Sequence, residues 1–252
     1  MTTILLVNDD GIDLETTKIL YHRLNSEGHN SIYVVPESNN SGYSGKLSIN
    51  AKIKMKRIGM NSFVISGSPV DAVIVGGYLL KKRGAAVDLV ISGINCGLNY
   101  GNTLMYSGTF MSALEGLNHA PQSIAFSYDG TLDDNSLVYK VVFKVIEELK
   151  KIVFENCVVN INFKEHMNCQ IKLIEEKDMI DSSFELILPE QIDESTLLFN
   201  TNTNANENKD ISILSIGVFN RYTGLKLEKK LIRRYNAFFR NMRNFLNTVN
   251  KR

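Results

Sequence analysis

ILLVNDDG, residues 4–11, changes abruptly from apolar side chains to an amide, two adjacent carboxylates and a glycine. Because a short apolar run that ends near glycine is typical of a buried parallel strand, we expect a strand here. In open α/β sheets, ligands bind outside the carboxyl ends of the strands, which is where Asp9 and Asp10 would lie. The stretch therefore predicts a sheet edge at which a ligand binds.

Asp9 and Asp10 place two negative charges side by side. Adjacent carboxylates repel each other, and they lose hydration when they are partly buried. A divalent cation such as Mg²⁺ or Mn²⁺ would compensate both effects, since these ions prefer carboxylate and carbonyl oxygens. The alternative interpretation is an ordinary solvated turn at Asp10 and Gly11, because acidic turns are common. This stretch alone leaves both interpretations open.

The composition restricts the class of protein. A chain of 252 residues fits one large α/β domain, or a domain with an appendage, and is long enough to bury a sizeable core. Its 28 Lys and Arg residues against 27 Asp and Glu residues give a net charge of +1, so we expect no stable nucleic-acid partner. No apolar run approaches the roughly 18 residues of a membrane span, so we expect no membrane association.

Three cysteines, Cys96, Cys157 and Cys169, are widely spaced along the chain. Their odd number and spacing favour neither a disulfide framework nor a zinc knuckle, and they suit a reducing compartment. Strand-forming residues begin at once, with no basic segment before them, so we expect no signal peptide. The sequence therefore predicts a cytoplasmic protein.

Strands and helices alternate up to Phe163. The predicted strands are 4–7, 31–35, 63–66, 87–91, 123–128 and 158–163, and the predicted helices open near Asp13, Ser68, Ser107 and Leu137. This alternation predicts an α/β fold with a doubly wound, mostly parallel sheet. Apolar and polar residues also alternate over 47–58, which predicts one or two half-exposed antiparallel strands.

The character of the sequence changes after Lys164. Strand-like segments at 171–174, 184–188 and 211–219 follow one another without a helix between them, and the Asn-rich stretch 200–209 is expected to be a polar loop. Apolar residues then recur at three- and four-residue steps from Leu231 to Val249, which predicts a long amphipathic helix. We expect this helix to cover the chain's own core, or to form a swapped arm or dimer contact, rather than to touch a membrane.

Three loops that follow strand ends should meet at one edge of the sheet: Asp9-Asp10, 39–42 and 95–101. They offer carboxylate, hydroxyl and amide oxygens, together with backbone N–H groups of a glycine-rich turn. We expect no imidazole or thiolate beside them, so the set suits a hard cation better than zinc. Three histidines are interpreted as structural and a fourth is not placed, in the order His22, His29, His119 and His166.

Ser107-Gly108-Thr109 opens a predicted helix on the same side of the sheet. Free N–H groups and the positive end of the helix dipole make a helix start a natural phosphate site. The alternative is a simple N-cap without a ligand, and in isolation we favour that alternative. The glycine spacing of dinucleotide-binding loops is absent.

Six stretches follow one another in the order and spacing of a known family over nearly all of residues 3–163. They read ILLVNDDGI, NNSG, GSPVDAV, VDLVISGINCGLNYG, YSGTFMSALEG and NINF. The chain at these positions resembles the SurE family of stationary-phase survival proteins, which are metal-dependent 5′-nucleotidases.

The resemblance implies two groups of site residues. A divalent ion, Mg²⁺ or Mn²⁺, would lie on Asp9, Asp10, Ser41 and Asn95. The phosphate of a nucleotide would lie on Asn99, Ser107, Gly108 and Thr109. Our own hypothesis adds that Asp9 and Asp10 are the catalytic residues and that one of them accepts the proton of the attacking water.

The resemblance also implies an assembly. The family has a Rossmann-like α/β domain followed by a C-terminal β-hairpin and helix that exchange between subunits. We therefore expect a catalytic domain over 1–164, an oligomerisation extension over 165–252, and a homodimer or homotetramer. The chain departs from the family at Asn102 and Thr103, where an acidic residue is usual, and over 217–223, which replaces a SITPL-like strand.

The leading hypothesis is hydrolysis of a nucleoside monophosphate to a nucleoside and phosphate, by positioning and electrostatics around the cation. A second hypothesis makes Asp9 or Asp10 a nucleophile that forms an aspartyl-phosphate. A third is a sensor that binds metal and nucleotide without turnover. The sequence leaves open the base and sugar, a 5′ against a 3′ phosphate, and which aspartate is the base.

Overall fold

The apolar run at the start of the chain lies in the middle of a nine-stranded sheet. The computed structural model describes residues 1–130, 137–165, 171–175, 183–191, 197–204, 212–222 and 229–251. The strands are β1 (Thr3–Val7), β2 (Asn30–Pro36), β3 (Met55–Arg57), β4 (Ser62–Ile65), β5 (Leu89–Cys96), β6 (Ser123–Asp129), β7 (Cys157–Lys164), β8 (Ile171–Glu175), β9 (Ser183–Gln191), β10 (Leu197–Asn204) and β11 (Ser212–Asn220). The helices are α1 (Glu15–Ser26), α2 (Pro69–Lys82), α3 (Gly108–Gly116), α4 (Leu137–Lys151) and α5 (Lys229–Val249), with a 3₁₀ helix at Gly101–Tyr106.

The strand order of the large sheet is β3-β4-β2-β1-β5-β6-β7-β11-β8. β1 pairs in parallel with β2 and with β5, and β6 and β7 continue the parallel sheet on the β5 side. The chain therefore builds outward from β1 in both directions, which confirms the prediction of a doubly wound, mostly parallel sheet. The reversal of strand order lies between β1 and β5, and ligands bind at such a crevice in this class of fold.

Helix α2 shows how local sequence sets an element boundary. Ser68 caps the helix by accepting a hydrogen bond from the N–H of Asp71 (3.1 Å), and the Asp71 carboxylate accepts one from the N–H of Ser68 (2.7 Å). Pro69 occupies the first helical position, where its missing N–H leaves no bond unmade. This reciprocal capping box confirms the helix predicted to open at Ser68.

The prediction of strands over 47–58 is wrong for most of its length. Only Met55–Arg57 forms a strand, and it pairs antiparallel with β4 at the edge of the sheet. The earlier part contacts the start of α2 instead, because the Ser48 hydroxyl donates to Asp71 (2.7 Å) and the Ser68 hydroxyl donates to the carbonyl of Lys46 (2.5 Å). An alternating pattern without a neighbouring strand gives no sheet.

The Asn-rich stretch 200–209 is also not wholly a loop. Residues 200–204 belong to β10, which pairs antiparallel with β9 in a separate two-stranded sheet. Asparagine is disfavoured in strands, but the backbone pairing along this hairpin outweighs that preference. The rest of the prediction, 205–209, lies outside the described residues.

Helix α5 confirms the prediction of an amphipathic C-terminal helix. Its Phe238 and Met242 are fully buried, and the ring of Phe238 meets the ring of Phe154 edge-on at 5.6 Å between centroids. The helix thus covers the core of its own chain, which was one of the expected arrangements. In the described part of the chain, every helix is too short or too polar to span a bilayer.

Glu148 of α4 joins this helix to α5. Its side chain is 2% exposed and lies 2.9 Å from the ammonium of Lys144 and 3.3 Å from that of Lys151. Asn241 of α5 donates a 2.6 Å hydrogen bond to the same carboxylate. Burial raises the pKa of Glu148, but the hydrogen bonds from Lys144, Asn241 and Lys151 outweigh burial and hold the pKa below its ordinary value.

Glu148→Ala should lower the free energy of unfolding by about 2 kcal/mol at pH 7, because it removes the buried carboxylate that accepts from Lys144, Lys151 and Asn241. The control is Glu147→Ala. The side chain of Glu147 pairs with the same two lysines but is 56% exposed, so its removal should cost under about 0.5 kcal/mol. Because the pKa of Glu148 is lowered in the folded state, its ionised carboxylate stabilises the fold at pH values above the ordinary pKa of 4.5. The Glu148→Ala effect should therefore shrink as the pH falls below 4.5. Urea denaturation measures both; equal costs at the two positions would contradict the account.

Candidate active site

The turn that follows β1 is closed by the side chain of Asn8, which is fully buried. Its amide oxygen accepts from the N–H of Gly11 (3.1 Å), and its amide nitrogen donates to the Gly11 carbonyl (2.9 Å). Gly11 has φ +88°, and a Cβ there would lie 2.6 Å from the backbone of Ser38. Asn8 and Gly11 therefore fix the backbone that carries Asp9 and Asp10. No role was predicted for Asn8 from the sequence, although an amide directly after an apolar strand was the available signal.

The carboxylate of Asp9 lies at the start of α3. The Thr109 hydroxyl donates to its Oδ1 at 2.5 Å, and the Thr109 N–H also donates to it. A Cβ at Gly108 would lie 2.9 Å from Asp9 Cβ and Oδ2, so only glycine allows this approach. The positive end of the helix dipole thus faces a negative side chain.

Ser107 caps α3, because its hydroxyl oxygen accepts from the N–H of Phe110 (3.0 Å). This contact agrees with the N-cap interpretation of the Ser107-Gly108-Thr109 stretch. The stretch nevertheless lies beside the end of β1, because Thr109 contacts Asp9. This is the side of the sheet on which the sequence predicted it. Thr109 is 0% exposed, so its hydroxyl belongs to Asp9 rather than to an open surface.

Asp10 lies beside the loop that follows β5. The N–H of Cys96 approaches its Oδ2 at 3.4 Å. Burial and the charge of Asp9 raise the pKa of Asp10 to about 6, and the Cys96 contact opposes them. Burial also raises the pKa of Asp9, against the hydrogen bonds from Thr109. Among the described residues, no Lys, Arg or His forms an ion pair with either carboxylate.

The loop after β2 reaches the same point through its backbone. The N–H of Asn40 donates to the carbonyl of Asp9 at 2.7 Å, which places Ser41 one residue beyond this contact. Ser41 is exposed, and its N–H donates to the side-chain oxygen of Asn39 (2.7 Å). The backbone, rather than the Ser41 hydroxyl, is what the structure joins to Asp9.

Asn95 and Asn99 extend the site along β5 and the turn that follows. The amide nitrogen of Asn95 donates to the Gly97 carbonyl (2.7 Å), which leaves its oxygen as the atom suited to a cation. The amide nitrogen of Asn99 donates to the hydroxyl of Ser127 (2.8 Å), and its main chain is held by Asn162. The sequence carried no signal for Ser127 and showed Asn162 only within the NINF stretch, because the roles of both residues depend on a contact between distant strands.

The donor set fits a hard divalent cation. Among the described residues the two carboxylates have no cationic partner, and Asn95 on the neighbouring strand β5 carries an amide oxygen; carboxylate and amide oxygens are ligands that Mg²⁺ and Mn²⁺ prefer. In the described ranges, no three His, Cys, Asp or Glu side chains form a metal cluster. Cys96, which follows Asn95, brings a thiol near the site, and burial raises the pKa of that thiol, which favours its neutral form over a thiolate.

The described histidines do not join the site. His119 follows α3 at the opposite edge of the sheet, with its Nε2 3.6 Å from Glu115. His22 lies on α1, and His29 lies just before β2. His166 is outside the described residues.

A sequence model of the family described as "Survival protein SurE" matches residues 4–184. A 5′-nucleotidase SurE from Clostridium botulinum (strain Eklund 17B / Type B) is 38% identical over 169 residues, which cover 63% of this chain and 66% of the relative. Another from C. botulinum (strain ATCC 19397 / Type A) is 35% identical over 199 residues, 76% of this chain and 78% of the relative. The match to the first of these proteins thus spans just under two thirds of that relative's length.

The fold has a solved counterpart. The crystal structure of the SurE protein from Aquifex aeolicus superimposes with a TM-score of 0.69 at 24% identity, covering 91% of this chain and 96% of that one. This likeness extends to the part of the chain after Lys164, where the sequence motifs fade. With the family match spanning 4–184 of 252 residues, and with the turns after β1, β2 and β5 meeting at Asp9 and Asp10, the chain belongs to the SurE family.

Proposed function

We propose that this chain is a divalent-metal-dependent 5′-nucleotidase, which hydrolyses a nucleoside monophosphate to a nucleoside and phosphate. The observation that carries the proposal is the pair Asp9 and Asp10, whose pKa values are raised and which have no described cationic partner. A buried pair of this kind needs a positive charge in its ionised form. The names of the relatives, 5′-nucleotidase SurE, support the same reaction.

The residues that would hold the ion are Asp9, Asp10, Ser41 and Asn95, with Mg²⁺ or Mn²⁺ as the ion. Such an ion, when bound, lowers the pKa of a bound water and offsets negative charge on phosphoryl oxygens. Asp9 is oriented by Thr109 and is the more deeply buried of the two carboxylates. Asp10 is more accessible, and we assign to its carboxylate oxygens the proton of the attacking water.

The residues that would bind the phosphate are Asn99, Ser107, Gly108 and Thr109. Gly108 and its neighbours form the N-terminus of α3, and the backbone N–H groups and helix dipole of such a terminus attract an anion. Because the Thr109 side chain already binds Asp9, we assign its hydroxyl to positioning that carboxylate. Catalysis then consists mainly of orientation and electrostatics.

The remaining predictions stay proposals. We propose domains at 1–164 and 165–252, with assembly into a homodimer or homotetramer through the second. The continuation of the sheet through β11 and β8 ties the second part closely to the first. We propose a reducing, cytoplasmic compartment, which is supported by Cys96 and Cys157 forming no disulfide among the described residues.

Asp9→Asn and Asp10→Asn should each lower Mn²⁺-stimulated phosphate release by at least about 100-fold, because each removes a negative ligand from the ion. The control is Asp13→Asn, which neutralises an exposed carboxylate nearby and should keep wild-type turnover. A panel of nucleoside monophosphates with Mn²⁺ or Mg²⁺, with and without chelator, measures the effect.

Near-wild-type turnover in both variants would contradict the assignment. Nucleotide binding without any phosphate release by the wild-type protein would favour the sensor. A phosphorylated protein trapped by acid quench would favour an aspartyl-phosphate instead.

The affinity for Mn²⁺ should fall as the pH falls through about 6, the pKa of Asp10 in the metal-free protein. The raised pKa means that a proton competes with the cation for this carboxylate at a pH where an ordinary Asp is fully ionised. Calorimetry in buffers of different ionisation enthalpy should detect more proton release on binding at pH 6 than at pH 8. An affinity that stays constant from pH 8 to pH 5 would contradict the burial of this pair.

A further inference from the structure

Strand β7 carries two buried asparagines, Asn160 and Asn162. Asn160 and Asn162 are 0% and 1% exposed. The alternate residues of the strand, Val159, Ile161 and Phe163, face the main apolar core. Asparagine is disfavoured in strands, and burying an amide costs free energy unless its hydrogen bonds are made. These two side chains therefore require an explanation beyond the packing of the sheet.

Both side chains bind the main chain of one residue in the turn after β5. The amide of Asn162 accepts from the N–H of Asn99 (2.6 Å) and donates to the Asn99 carbonyl (2.8 Å). Asn160 donates a second hydrogen bond to the same carbonyl (2.9 Å). Both lone pairs of that carbonyl are thus engaged, and a side-chain amide takes the place that a neighbouring strand would take in a ladder.

The side chain of Asn99 is held by the same face of the sheet. Its amide nitrogen donates to the hydroxyl of Ser127, which is 0% exposed. Ser127 of β6 is the direct neighbour of Asn162 in the parallel register. Three buried polar side chains on two adjacent strands therefore fix one partly exposed residue.

The turn so fixed lies between the two halves of the site. Before it, the N–H of Cys96 contacts Asp10; after it, the 3₁₀ helix leads to Ser107, the cap of α3. A shift of the Asn99 peptide would move a residue that we propose for phosphate binding, without moving the carboxylates. Displacements of about 1 Å in a positioning group can cost about 100-fold in rate.

We infer that Asn160 and Asn162 are positioning residues of the active site, which hold the Asn99 turn in the orientation that binds the phosphate of the substrate. The inference rests on the proposed function for the identity of the anion. We call Asn160 and Asn162 the clamp, and its existence rests on their contacts with Asn99 alone. Asn162 makes two of these contacts and Asn160 makes one, so Asn162 is the dominant member.

Asn162→Leu should lower kcat/KM for a nucleoside monophosphate about 30-fold, and Asn160→Leu about threefold. The affinity of both variants for Mn²⁺ alone should stay within about threefold of wild type, since Asp9 and Asp10 do not contact the clamp. Asn162→Asp keeps the acceptor for the Asn99 N–H and should give an intermediate loss. It also serves as the test if Asn162→Leu does not fold.

The matched control is Gln122→Leu. The amide of Gln122 is likewise buried and likewise binds a backbone carbonyl (Leu149, 2.8 Å) and a backbone N–H (Phe154, 3.3 Å), but at the amino end of β6. This variant should lower the melting temperature while keeping kcat/KM within about threefold of wild type. An equal loss of activity in Gln122→Leu would overturn the inference, because stability alone would then explain the result.

Two readouts do not depend on turnover. Hydrogen exchange of the peptide that spans 97–101 should accelerate in Asn162→Leu, and the affinity of the Mn²⁺-loaded protein for inorganic phosphate should fall about tenfold. Wild-type protein that releases no phosphate from any nucleotide would refute the proposed function and leave these two readouts to decide the clamp. Unchanged exchange and unchanged phosphate affinity in a folded Asn162→Leu protein would overturn the inference.

Discussion

The ionised carboxylates of Asp9 and Asp10 impose the constraint around which this protein is built. Burial raises both pKa values, and for Asp10 the charge of its neighbour adds to the effect. A carboxyl group whose pKa is raised in the folded state stabilises the fold when it is protonated and destabilises it as the pH rises through that value. The pair therefore costs stability at neutral pH in the metal-free protein, and a bound cation offsets that cost.

The rest of the site is arranged to keep this pair in place. Thr109 and the start of α3 hold the Asp9 carboxylate, Asn40 holds the Asp9 carbonyl, and Asn8 closes the turn around both aspartates. Each support comes from a different segment of the chain, and all of them meet where the strand order reverses between β1 and β5. The fold thus supplies the edge of the sheet, and contacts from three other segments of the chain fix the position of this pair.

Much of this architecture could be predicted from local sequence. The apolar runs of β1, β5 and β6 and the capping box at Ser68 are decided by neighbouring residues, so their patterns are visible in the chain itself. The failures have one cause: the deciding partner is remote. Residues 47–54 lack a neighbouring strand, β10 forms because β9 pairs with it, and Asn162 binds a turn 63 residues away. In the sequence, Asn162 was visible only as an asparagine within a predicted strand, in the NINF stretch, and neither feature identifies the turn that it binds.

The central claim is that Asp9 and Asp10 share a divalent cation with oxygens of the two later loops. Anomalous diffraction from a crystal grown with Mn²⁺ and phosphate tests it most directly. The account predicts a manganese peak about 2.0–2.6 Å from oxygens of both aspartates, with phosphate density between the ion and the start of α3. An empty site at this edge of the sheet, or an ion bound elsewhere while both carboxylates stay unliganded, would contradict it.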